Sequence, residues 1–226
     1  MSGRLVVQDL GVRAYAEVLE LQRTLARQRL AGEIIDDQLL LVEHEPVVTL
    51  GRGTRPESLP LTAAELSRRG IQQYEVERGG DVTFHGPGQL VGYPILNLRE
   101  HREDLHWYLR TLEEALIRAL DALGVGAERN PGLTGVWTRN RKIASIGIHV
   151  KQWVTYHGFA LNVNTDLSYF DLIVPCGIRD VTMTSVAMEL GRTDAGAVWR
   201  ETRQAVVEGM AQAFAATPVE PSSALS

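Results

Sequence analysis

An α+β fold, with helices packed against a largely antiparallel sheet, is predicted by three observations. Apolar residues recur at helical spacing over residues 12–31 and again over 104–123. Three short apolar runs between 136 and 163 follow one another as consecutive antiparallel strands, and a further helical segment covers 195–215. The 226 residues carry 23 basic and 28 acidic side chains with 44% hydrophobic content, a balance that suits a soluble globular chain with one well-buried core. No repeat and no long linker divides the chain, so residues 1–216 read as a single domain, and the proline and serine tail at 217–226 is expected to be disordered.

Taken in order, Arg4 to Gln8 suits a short strand, and residues 12–31 suit a helix that presents Tyr15, Val18, Leu19, Gln22, Leu25 and Ala26 on one face until Gly32 stops it. Leu39 to Val42 is an apolar strand that Val47 to Leu50 resumes after an interruption at Pro46. Thr62 and Glu65 form a capping box for a short helix ended by Gly70, and Ile71 to Glu77 alternates as a strand. Leu90 to Leu98 is a strand broken by Pro94, and residues 104–123 are a helix closed by Gly124. Val136 to Thr138, Lys142 to Val150 and Val154 to Val163 are the three consecutive strands. Loop chemistry at 168–180 then gives way to helical material at 184–190.

A net charge of −5 argues against a general nucleic-acid surface, because phosphate binding needs a concentrated basic face. No stretch reaches the roughly 18 apolar residues of a membrane span, and the first ten residues hold no signal-peptide block, so a cytoplasmic location is the default. The one cysteine, Cys176, excludes an intramolecular disulfide and makes a thiolate zinc site implausible; no metal is expected.

Chemistry concentrates in four places. Residues 78–89 place five glycines or prolines, a histidine and an aspartate in twelve positions, which suits a backbone that approaches a ligand closely, or else a pair of tight turns. The Gly-Lys-Ser/Thr of a phosphate loop and the spacing of a dinucleotide fingerprint are both missing. In the strand from Lys142, simple alternation puts Lys142 in phase with Ala144, Ile146 and Ile148; its ammonium either snorkels to water or projects into a cleft. In the next strand Gly158, Ala160, Asn162 and Asn164 make a small-residue face, a floor for an extended ligand or for a packed helix, and Ser145 and Gly147 extend it. Cys176 sits between Pro175 and Gly177, at a corner rather than inside an apolar element. With an ordinary pKa near 8.5, only about 3% of a thiol is ionised at neutral pH, so catalysis there needs a cationic neighbour. Lys142, His85, His149 and His157 all compete for that role.

These residues together resemble a known family. R-G-G-D-V-T-F-H-G-P-G-Q-L-V-G-Y-P from Arg78, R-K-I-A-S-I-G-I from Arg141, H-G-F-A-L-N-V-N from His157 and P-C-G-I from Pro175 are similar, in the same order, to the bacterial octanoyltransferases of lipoate biosynthesis, the LipB family. Phe84 departs from the pattern, since tyrosine is common there, and a hydroxyl is lost. The resemblance implies the fold of biotin and lipoate protein ligases and no cofactor. It implies transfer of an octanoyl group from acyl carrier protein to a lysine on lipoyl domains of 2-oxoacid dehydrogenases or on the glycine cleavage H protein. By the same resemblance Cys176 is the nucleophile that carries the acyl group as a thioester, and Lys142 lowers its pKa. Substrate-binding walls are implied at Arg78, Gly79, Gly80, Asp81, Val82, Thr83, Phe84 and His85, at Ser145, Ile146 and Gly147, and at Gly158, Phe159 and Ala160.

Burying an octanoyl chain at about 0.8 kcal/mol per methylene contributes on the order of 5 kcal/mol. One methylene changes binding by only about 1 to 3 kcal/mol, so eight carbons should be preferred without being required. Arg139, Arg141, Lys142 and Lys151 cluster in sequence and suggest either steering of an acidic carrier or an ordinary solvated turn. Two other functions fit parts of the pattern: an ATP-dependent lipoate or biotin protein ligase, and a noncatalytic acyl- or lipoyl-domain-binding module. A thiol nucleophile distinguishes the transferase from both.

Overall fold

The computed structural model describes residues 3–174 and 181–221. Its larger sheet has seven strands: β1 (Gly3–Arg13), β2 (Asp37–His44), β6 (Gln89–Ile95), β7 (Val136–Thr138), β8 (Arg141–Lys151), β9 (Val154–Asn162) and β10 (Ala216–Val219). They lie in the order β10-β1-β2-β6-β9-β8-β7. The β10–β1 and β1–β2 pairs are parallel, and every later pair is antiparallel. The small sheet sets β3 (Val47–Leu50) between β4 (Gln72–Glu75) and β5 (Thr83–His85).

The continuous apolar run in β2 is explained by helices on both sides of it. Leu39 and Leu41 join a core with Leu112 and Leu116 of α3 (Leu105–Ala122) and Val206 and Met210 of α5 (Ala195–Ala213). Leu40 and Val42 face the other way, onto Val18 of α1 (Tyr15–Ala31). Gly209 lets α5 approach α3 closely, since a Cβ there would lie 2.3 Å from Ala115 O. Gly32 ends α1 in the left-handed conformation at φ 75°, and Thr62 and Glu65 form the expected capping box on α2 (Ala63–Arg68). A short α4 (Val186–Leu190) precedes α5.

Three expectations from the sequence change. Thr217–Val219, expected to be part of a disordered tail, instead form a strand, because Ala216–Val219 pairs with Gly3–Val6; Pro218 is tolerated there because β10 is an edge strand. The Pro46 interruption does not pause one strand but carries the chain from the large sheet into the small one. Simple alternation also fails in β8, where Trp137 pairs with Lys142 but Val136 with Ala144, so that one extra residue is inserted. Ile143 and Ala144 consequently both enter the large core, and Lys142 comes into phase with Ser145 and Gly147.

Candidate active site

A cavity of about 330 Å³ lies where the small sheet meets β8 and β9. Its floor is Ser145, Ile146 and Gly147 of β8 with Gly158, Phe159 and Ala160 of β9, and its wall is Arg78 to Thr83 with His85. Tyr15, Val91 and Tyr93 line it as well, as do Leu109 of α3 and the turn Gly132–Thr134. Lys142 lines the same space, 8% exposed, with Nζ 5.6 Å from the centre of the Trp137 ring. The structure therefore brings three segments distant in sequence, and the lysine, to one chamber.

Glycines make the wall because backbones meet there. Gly79 N–H donates to Ile148 O at 2.8 Å, which ties the wall to β8. Arg52 and Gly53 donate from behind to Arg78 O and Gly80 O at 3.0 and 2.9 Å. A Cβ on Gly51 would stand 2.4 Å from Gly80 O. The buried Arg78 guanidinium braces the corner, donating to Thr49 O at 2.7 Å, to Thr49 Oγ1 and to Gly79 O. Asp81 accepts from Ser58 Oγ at 2.7 Å and from Val82 N–H at 2.6 Å, so it holds the turn. Phe84 alternates away from the cavity into the small lobe, stacked on Tyr169 at 4.5 Å with its edge toward Phe170.

The histidines separate by position. His85 and His157 line the cavity, whereas His149 does not; its Nδ1 meets Glu77 O at 3.0 Å and its ring packs on Tyr156. Burial pushes the His157 pKa down to about 3, and the Arg78 charge adds to this. His85 is likewise held at about 3, first by burial and then by neighbouring His44 and Arg78. Both are neutral at physiological pH. His157 adopts φ 56°, which breaks the alternation in β9 and turns its ring onto Tyr156.

Residues 175–180, and with them Cys176, lie outside the described residues. Their neighbours on either side are anchored by backbone hydrogen bonds. Val174 N–H donates to Ser58 O at 2.8 Å, while Lys142 N–H donates to Thr182 O and accepts, through its carbonyl, from Thr184 N–H. The basic cluster is less open than its sequence suggests: Lys142 is buried, and Arg141 is paired with Glu189 at 2.7 Å.

Sequence reasoning missed Glu113. This wholly buried carboxylate of α3 accepts from Arg110, Arg129 and Gly135 N–H, and so pins the turn beside Lys142. A glutamate on an amphipathic helix carries no local signal of such a role. Tyr15 and Tyr93 were equally hidden, since at their positions they read as ordinary core.

Residues 14–215 match the model of the lipoyl protein ligase A/B catalytic domain family. An octanoyltransferase of Nostoc sp. is 46% identical over 209 residues, covering 92% of this chain and 91% of its own. One from Rubrobacter xylanophilus is 54% identical over 185 residues, covering 80% and 82%. Among solved structures, a bipartite lipoate protein ligase from Thermoplasma acidophilum superposes with a TM-score of 0.72 at 18% identity, over 99% of this chain and 88% of that one. A lipoate-protein ligase A bound with ATP gives 0.72 at 16%, over 99% and 90%. The last two show a shared fold; the sequence matches show descent. The chain belongs to the lipoyl protein ligase A/B catalytic domain family, within its octanoyltransferases, and is an acyltransferase.

Proposed function

We propose that this enzyme transfers an octanoyl group from acyl carrier protein to a lysine of lipoyl domains, the 2-oxoacid dehydrogenase and glycine cleavage H proteins being its acceptors. The observation that carries this reading is a single chamber with an apolar floor, a glycine-rich wall and a buried lysine on its lining. Cys176 is the nucleophile in this reading. Its thiolate attacks the donor's thioester carbonyl, the bond to the carrier's sulfur breaks, and the departing thiolate takes a proton from the Lys142 ammonium to leave as a thiol. The acceptor amine then attacks the new thioester, the bond to Cys176 breaks with its electron pair on sulfur, and one amine proton is lost.

Lys142 serves as the cation that favours the thiolate and as the carrier of that proton. The anchoring of Val174 to Ser58, and of Thr182 and Thr184 to Lys142, supports pairing these two residues. With both chamber histidines neutral, neither is an imidazolium ready to stabilise a thiolate. The neutral histidines and buried ammonium therefore favour lysine over histidine as the activating partner.

Incubation with octanoyl carrier protein followed by intact-mass measurement tests the reading. An octanoyl adduct that is lost in Cys176→Ala, and formed slowly in Lys142→Met, is expected without ATP. A Cys176→Ala variant with normal transfer, or a strict need for ATP, would overturn it in favour of another nucleophile or of ligase chemistry.

A further inference from the structure

Behind the wall, two backbone carbonyls fix the direction of a buried hydrogen-bond chain. Thr184 O accepts from Asn162 Nδ2 at 3.0 Å, which turns Asn162 Oδ1 toward Gln89. Gln89 Nε2 donates to that oxygen at 3.0 Å and to Phe84 O at 3.3 Å. A carbonyl only accepts, so turning over either amide would set acceptors face to face. Gln89 Oε1 is thereby presented to His85 Nδ1 at 2.8 Å. An amide oxygen there requires a proton on Nδ1 and leaves the lone pair of His85 on Nε2. No described residue donates to Nε2, and the ring lines the cavity.

His85 thus enters the reaction as a neutral acceptor of fixed direction. It is too weak a base to take a proton from an alkylammonium, but it can receive a hydrogen bond. An octanoyl chain and its thioester carbonyl have no N–H or O–H to offer, whereas the attacking amine has two N–H bonds. We propose that His85 Nε2 accepts one N–H of the acceptor lysine and so aims the nitrogen lone pair at the acyl carbonyl. The proposal rests on the transferase reading above. The N–C bond forms, the C–S bond breaks with its electrons on sulfur, and the N–H not held by His85 gives up its proton through Lys142. The other N–H persists in the product amide, and His85 gains no proton at any stage.

The test separates acylation from discharge on the full-length enzyme. His85→Phe should form the octanoyl adduct within about threefold of the wild-type rate, while discharge to a lipoyl-domain lysine falls about tenfold, the rate equivalent of one hydrogen bond. His85→Gln, which brings an amide oxygen near the former Nε2, should recover most of that loss. Side-chain nitrogen spectra of the wild type should show Nδ1 protonated and Nε2 bare through the neutral pH range. Equal losses in both half-reactions, no rescue by glutamine, or a proton on Nε2 would overturn the proposal. Transfer by the wild type with no adduct would sink the thioester reading instead, and the spectrum and the slower transfer would still decide the role of His85.

Discussion

Removing the buried carboxylate of Glu113 tests whether the turn beside Lys142 is held from α3. Its Oε2 accepts from Arg110 Nη1 at 2.6 Å and Arg129 Nε at 3.2 Å, and its Oε1 from Gly135 N–H at 3.1 Å. Gly135 in turn abuts the lysine stem, since a Cβ there would lie 2.8 Å from Lys142 Cε. Glu113→Gln keeps an oxygen for Gly135 but loses the charge and turns an amide NH2 toward the two arginine donors, which swing out to water. Both arginine side chains are more than a third exposed (38% and 37%), so solvent screens the loss to about 1 kcal/mol. Glu113→Ala also strands the Gly135 N–H, at about 1 to 3 kcal/mol, and deletes a methylene worth about 0.8 kcal/mol, giving a total of about 3 to 5 kcal/mol. Urea unfolding measures both variants through the midpoint at constant slope. Transfer should also slow more in the alanine variant, because the turn is released. If alanine proves no more destabilising than glutamine, the bond to Gly135 carries no weight and the reasoning fails.

Two more predictions follow from burial and close contact. His44 is held near 4 by burial, and His85 and His157 near 3, all below the ordinary 6.5. The unfolded chain therefore protonates first, and stability present above about pH 6.5 is lost as pH falls toward the folded values, by about 1.4 kcal/mol per unit of depression for each histidine. A urea midpoint unchanged between pH 7 and 5 would contradict this, and His44→Asn should flatten the slope by about one proton. Gly147→Ala and Gly158→Ala should differ: the first Cβ meets Arg78 Cδ at 3.1 Å and Gly79 O at 3.2 Å, the second meets Gly92 O at 2.2 Å. The former should fold at a cost of about 1 kcal/mol and slow transfer of longer acyl chains, while the latter should lose about 3 kcal/mol or fail to fold. Thermal melts and a series of acyl-chain lengths measure both, and equal melting losses would refute the distinction.

What the sequence discloses is chiefly local. The capping box at Thr62, the Gly32 stop and the three strands from Val136 each depend on a few neighbouring residues, and each stands in the structure. The glycine-rich wall was visible because close backbone approach needs glycine wherever it occurs. The phase of Lys142 was not visible, since the inserted residue in β8 is set by pairing with Val136 and Trp137, which alternation within one strand does not contain. Glu113 was hidden for the same reason. Its partners Arg129 and Gly135 lie beyond the helix, and only the closed fold makes that carboxylate different from any other on α3.

Burial first, and the placement of charge after it, explains why the chamber keeps neutral histidines. Arg78 is permanently charged and nearly buried, and Thr49 and Gly79 oxygens are among the groups that brace it. The nearest carboxylate in sequence, Glu77, pairs with Arg23 at 2.9 Å and Tyr156 at 3.0 Å, and it also stands 4.0 Å from His157 Nε2, where it partly offsets the guanidinium. Beyond burial, the Arg78 charge disfavours a second cation on both His85 and His157. Its field favours any anion formed there, whether a thiolate or the oxygen of a tetrahedral intermediate, because the donors are fixed before reaction begins. A neutral residue at Glu77 would test the partition. With the Glu77→Gln substitution, Arg23 loses its partner and His157 loses a charge that holds its pKa up, so His157 stays neutral and the pH dependence of transfer should change little even as stability falls. A large shift in that profile would show that a chamber histidine titrates in the working range.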